Sequence, residues 1–345
     1  MLISFKKQLA PTLVIFVMFF LLGILVVNIL GVNLNTIAIS KAAAVAEAFA
    51  LEPKSEVKTS IKMAFVGDMM LDRGVKNSVY NNLSGDYNKL FSKVKSQLLK
   101  YDFLFANLEG PVSNKGIDVG GIYSFRMEPS VIPTLKKAGF DILSVANNHT
   151  FNWGEEAFAD TLELLSKGGI AYVGGGFDGS KAYKEKIINV RGVKISLLAF
   201  SDFRAGGISS ESVRPGIALI SETEIQKSVS QARKKTDLVV VSYHFGEEYQ
   251  EEPNAMQKRY AELAVDYGAN LVIGSHPHVV QSLEQYKNSY IAYSLGNFIF
   301  DQYFSTETMQ GGLLEVEVDS ESKQIENVIL KKVFLNNFFQ IESIE

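Results

Sequence analysis

Two patterns of apolar and polar positions alternate from Ile61 to Asp319, and together they predict an α/β domain. Short apolar runs typical of strands occur at IKMAFVGD, DFLFANLEG, FDILSVAN, VKISLLAFSD, DLVVVSYH, NLVIGSH, SYIAYSLGNFIF and GGLLEVEVD. Between them, apolar residues at helical spacing predict helices over Asn88–Lys100, Pro129–Ala138, Glu155–Lys167, Ser221–Lys235 and Ala255–Tyr267. Strands that alternate with helices indicate a sheet covered by helices. Helices do not separate the last strands, so we expect part of the sheet to be antiparallel or mixed.

A different pattern marks the N-terminus, where residues 9–34 carry no charge and read mostly as apolar. A helix needs about 20 such residues to cross a bilayer. Lys6 and Lys7 precede the stretch, and positive flanks stay on the cytoplasmic side. We therefore expect a cytoplasmic segment (1–8), a single-pass transmembrane anchor (9–34), a linker (35–60) and one domain outside the cell membrane (61–345). The small residues of KAAAVAEAFA leave cleavage as a secretory signal as the alternative.

The composition of the 345 residues excludes several classes of function. The net charge is -4 and basic residues are mixed with acidic ones, so nucleic acid is not an expected partner. The chain has no cysteine, which rules out disulfides, thiolate metal sites and a cysteine nucleophile. The GGG at 174–176 lacks the ending of a phosphate-binding P-loop. Ser275 lies beside His276 without the G-x-S-x-G elbow of a serine hydrolase.

Acidic, amide and imidazole side chains follow successive predicted strands at the points where those strands end. These residues are Asp68, Glu109, Asn148, His149, His244, His276 and His278. Strand ends of an α/β sheet share one edge, where such folds bind ligands. Each residue alone has an ordinary explanation as a cap, a turn former or a core histidine. Together their donors suit Mn, Zn or Fe, and they predict a site for one or two divalent metal ions.

Two of the four histidines lie in GSHPHVVQ, on either side of Pro277. On an extended strand, His276 and His278 would point to opposite faces. The proline argues against a regular strand. We expect a turn here that aims both rings at one ion or at a pair of ions.

Six segments, in this order, resemble the CapA-type proteins of poly-γ-glutamate capsule synthesis: GDMMLDRG, NLEGPVS, SVANNHTFNWG, VSYHFGEEY, GSHPHVVQ and YSLGNFIFDQ. That family is in turn similar to the calcineurin-like metallophosphoesterases. The resemblance covers Lys62 to about Gln310 and implies a four-layer α/β/β/α sandwich with the metal site at one edge. It also implies action at the cell envelope. The implied partners are the membrane, an anionic polymer such as poly-γ-glutamate or a phosphoester substrate, and other membrane subunits of capsule synthesis.

The resemblance also implies a role for each candidate, within a metal-assisted hydrolysis of a phosphoester. His149 would be the proton donor near the leaving group. The implied metal ligands are Asp68, Glu109 as the bridging carboxylate, Asn148, His244, His276 and His278.

Three positions depart from the patterns of these two families: Met70, Glu109 and Asn152. Glu109 stands where the phosphoesterases have a bridging aspartate, which shifts the bridge by one methylene. Met70 stands where a histidine ligand is expected, and a thioether is a poor ligand for such ions. Asp72 is a candidate replacement for that ligand. Asn152 stands where the capsule family leads us to expect an aspartate.

Further polar residues in the matched motifs are candidates for binding substrate. Arg73 and Arg126 could hold an anionic group by paired hydrogen bonds, although a surface ion pair is the alternative for each. Asn297 could line the pocket or simply shape a turn.

The sequence therefore leaves two functions open. One is an envelope-anchored, metal-dependent hydrolase. The other is a non-catalytic module that binds the anionic polymer and aids its assembly or export, and Met70 favours this second function.

Overall fold

A computed structural model describes residues 60–345. The predicted cytoplasmic segment, the transmembrane anchor and nearly all of the linker therefore lie outside the described residues. None of the helices within residues 60–345 has the length and apolar character needed to cross a membrane.

The strands and helices are numbered here in chain order. The strands are β1 (Ser60–Met69), β2 (Phe103–Leu108), β3 (Ile142–Ser144), β4 (Ala171–Val173), β5 (Gly175–Gly176), β6 (Lys186–Val190), β7 (Val193–Ser201), β8 (Gly207–Ile208), β9 (Gly216–Ala218), β10 (Leu238–His244), β11 (Leu271–Ser275), β12 (Leu283–Tyr286), β13 (Ser289–Ala292), β14 (Asn297–Ile299), β15 (Gln310–Asp319), β16 (Ile325–Leu335) and β17 (Ile341–Ile344). The helices are α1 (Arg73–Asn82), α2 (Lys95–Leu98), α3 (Val131–Ala138), α4 (Gly154–Lys167), α5 (Gly179–Ala182), α6 (Glu222–Arg233) and α7 (Ala255–Asp266), with a 3₁₀ helix at Tyr87–Leu90.

Two large sheets carry the fold. The first has eight strands in the order β17-β16-β15-β1-β2-β3-β4, and β14 pairs with the end of β1. Strands β1 to β4 are parallel, whereas β15, β16 and β17 run antiparallel. The second sheet has the order β12-β13-β11-β10-β7-β6, with antiparallel strands at both edges. The predicted mixed α/β fold is therefore confirmed.

Strand β10 shows how the six-stranded sheet is buried on both faces. Leu238 and Val240 pack in the core shared with the eight-stranded sheet. Val239 and Val241 point the other way and pack with Val229 of α6 and other helical residues. Successive strand residues face opposite sides, so an unbroken apolar run is what a doubly covered strand requires.

Local signals set the ends of the helices. Ser221 caps α6 by accepting a hydrogen bond from the backbone N–H of Glu224, and Asn254 forms a capping box with Gln257 at the start of α7. Helix α3 ends at Gly139, whose φ of +105° is a left-handed conformation that glycine adopts without strain.

Three sequence predictions differ from the structure. The helix predicted over Asn88–Lys100 is instead a 3₁₀ turn followed by the short α2, because its hydrogen bonds tighten to i+3 spacing at Phe91 and Val94. Helix α1 was not predicted, since its glycine and asparagines are weak helix formers. The run SYIAYSLGNFIF is two strands in different sheets, β13 and β14, separated at Gly296 (φ +61°).

Candidate metal centre

The predicted metal ligands come from the ends of five strands, three in the large sheet and two in the six-stranded sheet. Asp68 is the second-to-last residue of β1, and Glu109 directly follows β2. His244 is the last residue of β10. The remaining residues follow β3 (Asn148 and His149) and β11 (His276 and His278). Both sheets therefore deliver their strand ends to one edge, as such folds do at ligand sites.

Two buried carboxylates form the floor of the site. Asp68 is fully buried, and its Oδ1 accepts a hydrogen bond from Asn107 Nδ2 at 2.7 Å. Its Oδ2 accepts one from the backbone N–H of His276 at 2.9 Å. Burial raises the pKa of Asp68 to about 6. Burial, together with the neighbouring charge of Asp68, also holds the pKa of Glu109 well above its ordinary value.

Glu109 is the least satisfied polar group of the site. It is fully buried, and neither side-chain oxygen has a hydrogen-bond partner anywhere in residues 60–345. Leaving buried polar atoms unpaired costs about 1–3 kcal/mol. One ligand atom each from Asp68, Glu109 and His278 lies within 4.8 Å of the other two. The donor set therefore fits a divalent cation, which would pair the two orphaned oxygens.

Backbone geometry explains how both histidines of GSHPHVVQ reach the site. His276 has a φ of +99° and His278 a φ of +59°. Left-handed conformations are uncommon for residues with a side chain, and they cost about 1–3 kcal/mol each. The segment therefore turns at both histidines, and the ring centroids lie 6.0 Å apart. Burial lowers the pKa of each imidazole to about 3, so both are neutral at pH 7.

The hydrogen bonds of Asn297 determine which nitrogen of His278 carries the ring proton. Asn297 Nδ2 donates to the backbone oxygen of Thr308 at 2.9 Å, so its Oδ1 is the atom that meets His278 Nδ1, also at 2.9 Å. We therefore assign the ring proton to Nδ1. The Nε2 lone pair then points toward Glu109, with 3.8 Å between Nε2 and Oε1. This is the common way in which a partner orients a histidine ligand.

His244 lies near Oδ1 of Asp68, with 3.9 Å between that oxygen and His244 Nδ1, whereas His278 lies near Oδ2. His244 Nε2 is 2.9 Å from Asn148 Oδ1, and His244 Nδ1 is 3.3 Å from Asn107 Nδ2. Asn107 Nδ2 is a donor, so Nδ1 accepts and Nε2–H donates to Asn148. Asn107 was missed by the sequence analysis; its only signal is its place on β2, two residues before Glu109.

His149 occupies the entrance of the site. Its Nδ1 is 2.9 Å from Asn152 Oδ1, and that oxygen also accepts the backbone N–H of Phe125 at 3.0 Å. Nδ1 therefore carries the ring proton, and Nε2 lies 3.8 Å from Glu109 Oε1. Burial lowers the pKa of His149 below its ordinary value. Its role as a proton donor stays a prediction, and it would require the doubly protonated ring, in which Nε2 also carries a proton.

A cavity of about 320 Å³ opens beside His149 and His278. Arg73 lines it, with the guanidinium 5.1 Å from the ring centre of Phe125 and 5.5 Å from that of Tyr123. Its Nε also donates to Asp301 Oδ2 at 3.1 Å. The cavity is thus lined largely by aromatic side chains, and Asp301 holds the charged guanidinium of Arg73 in place at its wall.

The other two predicted substrate residues lie elsewhere. Arg126 lines a separate cavity and lies 3.5 Å over the ring of Trp153. Asn297 is fully buried and supports His278. Their binding of substrate stays a prediction.

The departures from the phosphoesterase pattern also have defined surroundings. Met70 is buried in an apolar cluster with Phe125 and Phe300, and its sulfur accepts the backbone N–H of Asp72. The Asp72 carboxylate accepts the backbone N–H of Arg126 at 2.8 Å. Among the described residues, Asp72 belongs to no acid–imidazole group that could hold an ion.

The two sheets and their acid–imidazole edge define a mixed α/β protein with a candidate metal centre. The chain belongs to the family described as "Bacterial capsule synthesis protein PGA_cap", whose profile matches residues 62–302. It is 34% identical over 291 residues to "Capsule biosynthesis protein CapA" of Bacillus anthracis, covering 80% of this chain and 68% of that protein. It is 33% identical over 259 residues to "PGA biosynthesis protein CapA" of Bacillus subtilis, covering 74% and 67%. The predicted resemblance to the capsule family is confirmed.

Solved structures of similar fold include phosphatases. A "novel phosphatase" of Mycoplasma pneumoniae aligns with a TM-score of 0.50 at 16% identity, covering 80% of this chain and 94% of that one. The "calcineurin-like phosphoesterase YfkN" of Bacillus subtilis aligns with a TM-score of 0.46 at 13% identity, covering 79% and 90%. The first of these alignments shows that this chain and the Mycoplasma pneumoniae protein share a fold.

Proposed function

We propose that this chain is a metal-dependent hydrolase of capsule synthesis, which cleaves a phosphoester or a bond in an envelope polymer such as poly-γ-glutamate. The observation that carries the proposal is Glu109. A buried carboxylate with both oxygens unpaired, beside Asp68 and His278, is costly unless a cation pairs with it.

The donor set indicates how such a site would be filled. Asp68, Glu109 and His278 would hold one ion, with His276 and Asn148 available to a second. His244 would join the second ion when that ion displaces the proton on its Nε2. Carboxylate and imidazole donors suit Mn, Zn or Fe. An ion bound there would supply Lewis acidity and lower the pKa of a water molecule to about 7.

The side chains around the cavity would bind and orient the substrate. Arg73 is positioned to donate hydrogen bonds to an anionic oxygen, either of a phosphoester or of a polymer carboxylate. His149 Nε2 faces the same space. Once the ring has taken up a second proton, Nε2–H would give that proton to the leaving group. The aromatic walls would limit the access of bulk water.

The proposal includes the cellular setting and the layering of the domain. Residues 9–34 would anchor the chain in the cell membrane with the domain outside, near other membrane subunits of capsule synthesis. The four-layer α/β/β/α arrangement is supported by the core that the two sheets share and by the helices packed on the six-stranded sheet.

The test is hydrolysis by the purified full chain of p-nitrophenyl phosphate mono- and diesters, and of poly-γ-glutamate, before and after chelation. We expect turnover that needs added Mn or Zn, and that is lost in His149→Ala while the metal content is unchanged. Arg73→Ala should raise KM roughly tenfold or more, the value of a lost charge-assisted hydrogen bond. Arg259→Ala is the matched control, because its side chain is exposed and pairs with Glu222 at the surface. Equal turnover in metal-loaded and chelated protein would contradict the proposal.

A second function is favoured by Met70, which fills a ligand position with an apolar side chain. In that case the same domain binds the anionic polymer without cleaving it. Binding of poly-γ-glutamate that depends on Arg73, with no turnover of any substrate by the metal-loaded chain, would support this function instead.

A further inference from the structure

The loop after β10 brings one more carboxylate to the site. Glu248 lies in it, four residues after His244. One ligand atom each from Glu248, His276 and His278 lies within 4.8 Å of the other two. This second group shares His278 with the group that contains Asp68 and Glu109. Because Nε2 of His278 can bind one ion only, Glu248 and His276 are left as donors for a second position next to it.

An independent observation points to a ligand at this second position. His276 is 4% exposed, and its Nδ1 has no hydrogen-bond partner within the described part of the chain. Buried polar nitrogens are nearly always paired in folded proteins. A cation held between Glu248 and Nδ1 of His276 would give this nitrogen the partner that residues 60–345 do not supply.

The backbone fixes the Glu248 loop to the histidine loop. The backbone N–H of Tyr249 donates to the oxygen of Pro277 at 2.8 Å, and the Tyr249 ring stacks on His278 with centroids 6.1 Å apart. Tyr249 also has a φ of +63°, an uncommon conformation for an aromatic residue. Glu248 is thus held beside the two imidazoles, although its own side chain is exposed.

Glu248 adds a donor to a site in which the end of β1 provides only one. Met70 turns into the apolar cluster with Phe125 and Phe300, so that strand supplies only Asp68 as a donor. Glu248 adds a carboxylate from the open side of the site, opposite the buried Glu109. Carboxylates gathered around a shared imidazole repel one another unless a cation lies between them.

We propose that Glu248 is a metal ligand, which joins His276 at a second divalent-cation position beside the Asp68–Glu109–His278 position. The proposal rests on the metal centre of the proposed function. It gives the chain a donor in place of the one that Met70 does not provide. A hard or borderline ion such as Mn²⁺ suits this mixed carboxylate and imidazole set.

The test is titration of the chelator-treated full chain with Mn²⁺, followed by calorimetry and by the electron paramagnetic resonance of bound Mn²⁺. Glu248→Gln keeps the shape of the side chain and removes its charge. Glu247→Gln is the matched control: it is the adjacent glutamate, equally exposed, and it belongs to neither group. We expect Glu248→Gln to lose one bound Mn²⁺, or to bind it at least roughly tenfold more weakly, because even outer partners of metal ligands contribute about that much.

The outcomes separate this inference from the proposed function. Wild-type binding that is matched by Glu247→Gln and reduced in Glu248→Gln supports it. Binding to Glu248→Gln that equals wild type overturns the role of Glu248 and leaves the metal centre standing. Absence of Mn²⁺ binding to wild type overturns both. Thermal unfolding in chelator, which we expect to be unchanged in both exposed-site variants, confirms that each is folded.

Discussion

Replacing Glu109 with methionine should reverse the order of stability between the metal-free and the metal-loaded protein. Methionine is close to glutamate in volume and carries no oxygen, so Glu109→Met removes the two buried, unpaired atoms without opening a large cavity. Without metal, the variant should be more stable than wild type. With metal, it should be less stable, because it has lost a ligand.

The magnitudes follow from the burial. Among residues 60–345, the two oxygens of this fully buried side chain have no partner, and they lower the free energy of unfolding by about 2 kcal/mol, within the range of about 1–3 kcal/mol for such groups. At about 2–4 °C per kcal/mol for a domain of this size, the unfolding midpoint in chelator should rise by roughly 4–8 °C. A metal at a hundred times its Kd stabilises wild type by about 2.7 kcal/mol, and the variant by much less.

The assay is thermal unfolding of both proteins in chelator and in excess Mn²⁺, followed by circular dichroism. Glu315→Met is the matched control. Glu315 is also a buried glutamate, but it is paired with Tyr101 Oη and Lys331 Nζ, each at 2.7 Å. Its replacement should therefore destabilise the protein by a similar amount with and without metal.

The reasoning would be refuted if Glu109→Met lowered the unfolding midpoint in chelator as Glu315→Met does. That result would mean that Glu109 is satisfied by the protein itself. Equal midpoints of wild type with and without Mn²⁺ would refute the metal part of the reasoning.

Three further predictions concern the groups around the ions. Asn152→Asp places a carboxylate beside His149 Nδ1, which should raise the pKa of His149. A proton donor is active in its protonated form, so the alkaline limb of the pH–rate profile should shift to higher pH, and an unchanged profile would contradict the contact. Asn297→Ala frees the His278 ring and should weaken metal binding about 10–100-fold by calorimetry, whereas unchanged affinity would argue against the assigned tautomer. Because burial raises the pKa of Asp68 to about 6, protons compete with the ion below that pH. The affinity of the site for Mn²⁺ should therefore increase from pH 5 to pH 7, and an affinity that does not change with pH would contradict this prediction.

Much of the site could be predicted because it depends on local rules. An apolar run that ends in a carboxylate or an imidazole marks a strand end, and parallel strand ends share an edge. That rule places Asp68, Glu109, His244 and the GSHPHVVQ histidines at one edge of the structure.

The rest depends on contacts between distant parts of the chain. No local pattern shows that Glu248 lies against the histidine loop, since their link is one backbone hydrogen bond from Tyr249 to Pro277. The left-handed conformations of His276 and His278 are likewise set by their surroundings. The sequence suggested that Asn297 lines the pocket or shapes a turn. Instead Asn297 is buried beside His278, because the chain leaves the six-stranded sheet after β13 and joins the eight-stranded sheet at β14.

The most direct test of the central claim is the metal content of the full chain, measured by inductively coupled plasma mass spectrometry after equilibration with Mn²⁺ or Zn²⁺ and desalting. His278 is shared by both acid–imidazole groups, so His278→Ala is the informative variant. The account predicts one or two bound ions in wild type and a marked loss in His278→Ala. Wild type that retains no ion under these conditions, or a variant that retains as many as wild type, would contradict it.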